Sequence, residues 1–96
     1  MNETRVTQER INHLLETAER ESTTAFGKCF VLSVRLENGF VLTESSACVD
    51  PKNYDAVIGR ELCLKKIENK LWELEGYALQ KKLYEGGASH ENSKDS

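Results

Sequence analysis

The sequence predicts a single small α+β domain: an N-terminal helix, an antiparallel β-hairpin or sheet, and a long C-terminal helix packed on it. Three observations lead there. Apolar residues recur at helical spacing near the start and again over the second half of the chain. Between these stretches the pattern changes to a period of two. In the middle of that segment sits Asn38-Gly39, a dipeptide suited to a tight hairpin turn. A chain of 96 residues makes one domain. Residues 1–84 are expected to form it, with residues 85–96 as a disordered polar tail.

The first helix is expected from about Thr7 to Glu21. Thr7 is a suitable N-cap. Ile11, Leu14, Leu15 and Ala18 fall on one face, while Glu9, Arg10, Glu16, Glu19 and Arg20 fall on the other. His13 lies just off the apolar stripe and reads as a solvent-edge residue. Ser22-Thr23-Thr24 is expected to end the helix.

The hairpin follows. Phe30, Leu32, Val34 and Leu36 point one way, and Cys29, Val31, Ser33 and Arg35 the other. A two-residue type I′ turn at Asn38-Gly39 would place Leu36 opposite Val41, Val34 opposite Thr43, Leu32 opposite Ser45 and Cys29 opposite Cys48. Both faces are then rather apolar. A two-stranded ribbon is marginal in water, so further strands, from residues 24–28 or another subunit, should complete the sheet.

Asp50-Pro51 stops the second strand, because proline cannot donate to the ladder and suits the first turn of a helix. Asp50 and Asn53 are both candidate caps. The long helix is expected from about Tyr54 to Leu83. Cys63, Ile67, Leu71, Leu74 and Ala78 form its stripe, widened by Ile58, Leu62, Leu64 and Leu79. Gly76 is a candidate bend.

Composition excludes several functions. The net charge is −3, which argues against duplex nucleic acid. No apolar run is long enough to span a membrane, and the polar N-terminus lacks a signal-peptide core. Three cysteines without a CxxC pair point to reduced thiols, with neither a disulfide framework nor a metal site. No nucleophile–base–acid set is visible, and the GxSxG, GxxxxGK[ST], HExxH and GxGxxG spacings are absent. The chain reads as a non-enzyme without a cofactor.

A binding site is the better reading. Ser45, Ser46, Ala47 and Cys48 carry small side chains that let a ligand approach the backbone. They lead into a helix start, whose N–H groups attract anions. Asp50 and Asp55 compete for those donors, and ordinary capping is the simpler account. Lys66 and Lys70 lie one turn apart on the polar face of the long helix, where they could hold a phosphate, although a solvated charged face shared with Glu68 and Glu73 is the simpler account. Arg60 is a further phosphate candidate. Trp72 at the stripe's edge reads as core or interface before it reads as a stacking platform.

The stretch from Asn38 to Leu79 resembles a family of small tailed-phage proteins. The match is carried by Asn38-Gly39-Phe40, Glu44-Ser45-Ser46-Ala47-Cys48-Val49-Asp50-Pro51, Asn53-Tyr54-Asp55, Ile58-Gly59 and Leu71-Trp72-Glu73-Leu74-Glu75-Gly76-Tyr77. Characterised members of that family include Thoeris anti-defence proteins of the first type. The resemblance implies a sponge that sequesters cyclic ADP-ribose isomers, and in some members cyclic oligonucleotides of CBASS defence, without cleaving them. It implies homodimers, some assembling into hexamers, acting in the host bacterial cytoplasm. It raises Ser45, Ser46, Ala47, Cys48, Asn53 and Tyr54 to candidate ligand contacts, with Arg60, Lys66, Lys70 and Trp72 beside them. Two other readings compete: a module that binds and inhibits a host protein through its acidic helices, and a structural homo-oligomer without a ligand.

Overall fold

A computed structural model describes residues 5–88. Its elements are α1 (Gln8–Glu16), β1 (Glu19–Ala25), β2 (Cys29–Arg35), β3 (Val41–Ala47), a 3₁₀ turn (Pro51–Asn53) and α2 (Ala56–Ala88). The strands form one antiparallel sheet in the order β1-β2-β3. The long helix lies across β2 and β3, and α1 packs against it. The architecture is the α+β arrangement read from the sequence.

The core is one layer between helices and sheet. Phe30, Leu32 and Val34 of β2, with Leu36 beyond it, turn inward. Ile11 and Leu14 of α1, Leu42 of β3, and Cys63, Ile67 and Leu71 of α2 meet them. The buried positions of α2 recur every four residues from Gly59. At Gly59 the helix comes so close that a Cβ would stand 2.7 Å from Phe30 Cβ. The sheet ends well before the helix does. Leu74, Tyr77, Leu83 and Tyr84 are exposed along the overhang, so the stripe expected to reach Ala78 is core only in its first half. The helix runs through Gly76 to Ala88, past the boundary expected near residue 84. The rest of the expected tail, residues 89–96, lies outside the described residues.

Three local expectations are corrected. First, α1 stops at Glu16, and Glu19–Ala25 is a strand. Thr7 does cap the helix, its Oγ1 accepting from Arg10 N at 3.2 Å. Beyond Leu15, however, the chain offers only Ala18 to a core. Continuing the helix would bury little, whereas pairing with β2 gains a seven-residue ladder. Ser22-Thr23-Thr24 therefore lies inside a strand. The third strand expected for the sheet is there, but it starts earlier than residue 24. Its charged, exposed residues suit an edge.

Second, the register of β2 on β3 is shifted by one. Val34 faces Leu42, Leu32 faces Glu44, Phe30 faces Ser46 and Cys29 faces Ala47. The cause is the turn. Gly39 N donates to Leu36 O at 2.8 Å, and Leu36 N to Phe40 O at 2.8 Å. Gly39 has φ 95 while Asn38 stays at negative φ. The loop is thus three residues with one left-handed glycine, not the two-residue turn that needs two. A slip of one residue exchanges the faces of β3. Leu42 enters the core, and Val41 is left 54% exposed. Cys48 consequently does not face Cys29.

Third, neither Asp50 nor Asn53 caps the long helix. Asp50 caps the 3₁₀ turn, accepting from Lys52 N at 3.0 Å, with Pro51 at its first position. Asp55 caps α2, its Oδ1 accepting from Val57 N at 2.9 Å.

The β1–β2 turn holds Phe26 at φ 55 and Gly27 at φ 68, closed by Lys28 N to Ala25 O at 3.2 Å. Phe26 is 94% exposed there. A left-handed conformation disfavours a residue with a Cβ, and no burial offsets that cost.

The packing and the turn set three expectations for stability. Gly59→Ala should destabilise the fold by about 1–3 kcal/mol through overpacking, despite the better helix propensity of alanine. Gly76→Ala, where an added Cβ meets nothing within 4 Å, should stabilise it by about 0.5–1 kcal/mol. Urea unfolding of both variants beside the parent checks the pair, and shifts of the same sign would contradict the close approach at Phe30. Phe26→Asn should raise stability by up to about 1 kcal/mol by relieving the turn, read as a higher melting temperature.

Candidate functional site

The end of β3, the 3₁₀ turn and the first two turns of α2 meet around a small cleft of about 110 Å³. Ser46, Ala47 and Cys48 form one wall, Asn53 and Tyr54 the floor, and Asp55, Ile58, Gly59 and Leu62 the helix side. The local geometry is tightly tied. Cys48 N donates to Lys28 O at 2.9 Å, and Cys48 Sγ to Asp50 O at 3.3 Å. Tyr54 leaves the 3₁₀ turn in extended conformation, with φ −67 and ψ 131. Its hydroxyl bonds the Thr24 hydroxyl at 2.6 Å, tying the floor to β1.

Five of the ten sequence-derived candidates, Ser46, Ala47, Cys48, Asn53 and Tyr54, therefore share one cleft. The other five stand around or away from it. Ser45 lies one residue before the cleft wall, and its carbonyl accepts from Lys66 Nζ at 2.6 Å. Lys70 Nζ lies 3.4 Å from Glu44 Oε2. This pairing follows from the register. The slip turns Glu44 toward the helix, and the two lysines of α2 reach down to β3. Glu68, on the same helix, accepts from Gln8 Nε2 of α1 at 3.0 Å. Arg60 holds its guanidinium 5.9 Å from the Phe30 ring centroid, a cation–π distance, and makes no ion pair among the described residues. Trp72 packs against the core, about 15 Å along the helix from Leu62.

The anion-site argument weakens here. The first free N–H groups of α2 already bond the Asp55 carboxylate, Val57 N at 2.9 Å and Ile58 N at 3.4 Å. Ordinary capping is what the structure shows. In exchange the cleft gains an apolar side. Ile58 and Leu62, read from the sequence as widening the core stripe, are 54% and 49% exposed. Their signal was present: they precede Gly59 and Cys63 by one residue, which rotates them about 100° off the buried line.

His13 is exposed and bonds Glu37 at 3.2 Å. Among the described residues, no group of three or more His, Cys, Asp or Glu could hold a metal ion, and no helix is long and apolar enough to cross a membrane. Burial pushes the Cys63 thiol up from its ordinary value of 9.0, with nearby Lys66 opposing.

Residues 5–83 match the phage protein (N4 Gp49/phage Sf6 gene 66) family. The chain belongs to this family. Its cleft residues all fall within the matched span. No curated protein and no solved structure matches the chain.

The thiols separate by environment. Cys29 and Cys48 are half-buried and Cys63 is buried, so iodoacetamide should alkylate the first two in the folded protein and Cys63 only on unfolding. The folded state also keeps a Cys63 proton that the unfolded chain releases. That contribution to stability is intact below pH 9.0 and is lost as pH rises above it. Mass mapping of native and unfolded samples checks the labelling order.

Proposed function

We propose that this phage protein sequesters a cyclic nucleotide immune signal, a cyclic ADP-ribose isomer foremost, by binding without cleavage. The observation that carries the reading is the cleft. It gathers the small-residue run and the Asn53-Tyr54 pair of the family-like motif beside an exposed apolar strip. Small side chains expose backbone to a ligand, Ile58 and Leu62 offer a surface for a base, and Arg60 is a cation one residue beyond Gly59.

Size argues for a partner. Ligand pockets span about 300–1,000 Å³, and this cleft is about 110 Å³. A second copy laid against Val57, Ile58 and Leu62, which are 53%, 54% and 49% exposed, would enlarge and close it. Dimers, or hexamers built from them, are the assembly proposed. The exposed apolar overhang of α2 supports association, and the same surface keeps a protein-inhibitor reading open as the alternative.

Calorimetric titration with glycocyclic ADP-ribose should give saturable binding, with the ligand recovered intact after denaturation. Asn53→Ala and the cleft-filling Ala47→Tyr should each weaken binding at least tenfold. Neither heat nor a thermal shift across several cyclic nucleotides would overturn the proposal, and light scattering showing a monomer would overturn the shared cleft.

A further inference from the structure

A larger cleft than the one at Asn53 and Tyr54 lies elsewhere. It has a volume of about 450 Å³ and opens between the start of α1 and the second half of α2. Glu75, Ala78, Leu79 and Lys82 contribute from one face of α2, at i, i+3, i+4 and i+7. Arg5, Val6 and Arg10 face them. The volume lies within the range of small-molecule sites.

Charge sets this cleft apart from the rest of the chain. Three cations and one carboxylate leave an excess of two positive charges, on a protein whose net charge is −3. Arg10 Nε donates to Glu75 Oε1 at 3.2 Å. That bond uses the inner edge of the guanidinium and holds the side chain in place, leaving its terminal nitrogens available. Arg5 and Lys82 make no ion pair among the described residues. Val6, Ala78 and Leu79 supply an apolar wall between the charged groups.

We propose that this cleft is a ligand site separate from the one at Asn53 and Tyr54, taking a small phosphate monoester with an apolar body. A phosphate monoester carries about −1.5 to −2 charges at neutral pH, which matches the local excess. Arginine's fork suits phosphate oxygens. A bare phosphate would leave most of the volume empty, and the apolar wall asks for a ring or chain to fill it. Glu75 acts as a positioning residue for Arg10. This also assigns work to the Trp72–Tyr77 motif, whose Trp72 packs on the core while Glu75 turns to the cleft.

Phenyl phosphate is the probe, with inorganic phosphate and phenol as its two halves. Methyl-detected NMR of the full chain should show saturable shifts at Val6, Ala78 and Leu79 with phenyl phosphate. Binding should be at least tenfold weaker for inorganic phosphate and undetectable for phenol. Arg5→Glu and Lys82→Glu, both at exposed positions, should each weaken binding at least tenfold, while Asn53→Ala in the other cleft leaves it unchanged. Absence of shifts at these three methyls, equal affinity for inorganic phosphate, or wild-type affinity in both charge reversals would overturn the proposal. Shifts confined to Ile58 and Leu62 would overturn it as well and assign the probe to the other cleft. The cyclic-nucleotide reading is judged by its own titration, so either can fail alone.

Discussion

The close seating of α2 on the inner face of the sheet governs the rest of the structure. Gly59 lets the helix backbone approach Phe30, and Cys63, Ile67 and Leu71 continue the contact along the strands. Each apolar side chain buried this way is worth about 1.5–3 kcal/mol, and a chain of this size has few such contacts to lose. Because the helix is set down at Gly59, its preceding turn must cross the end of β3. That crossing creates the cleft of Ser46, Asn53, Tyr54, Ile58 and Leu62. The same seating leaves the second half of the helix without a sheet beneath it.

The polar residues are arranged around that contact. Glu44 is placed on the helix side of β3, and Lys70 answers it across the gap. Lys66 satisfies the Ser45 carbonyl at 2.6 Å. On the opposite face Arg35 pairs with Glu19 of β1, so the outer strand is held by charge as well as by its ladder. Asp50 and Asp55 cap successive turns, which makes the connection between strand and helix short and well tied.

The expectations that failed share one cause. The helix expected to reach Glu21 has plausible propensity as far as Arg20. Nothing local says that Glu19–Ala25 will find seven partners on β2. Asn38-Gly39 announces a hairpin, but the choice between a two- and a three-residue loop depends on which face of β3 is buried. The three-residue loop buries Leu42 in place of Val41. Ile58 and Leu62 border the apolar stripe closely enough to read as core, yet they stand about 100° off the buried line, where the sheet does not cover them.

By itself, the sequence determined the α+β class, the inward face of Phe30, Leu32, Val34 and Leu36, the Thr7 cap, the helical nature of the second half, and the motif around Ser46–Tyr54. These depend on local periodicity and on the conformational limits of threonine, proline and glycine, which act over a few residues. Only the tertiary structure decided the third strand's extent, the register, the partners of Lys66 and Lys70, and the gathering of Ser46, Asn53, Tyr54 and Leu62 into one cleft. Those depend on which surfaces meet, and burial is a property of the packed pair that neither segment carries alone.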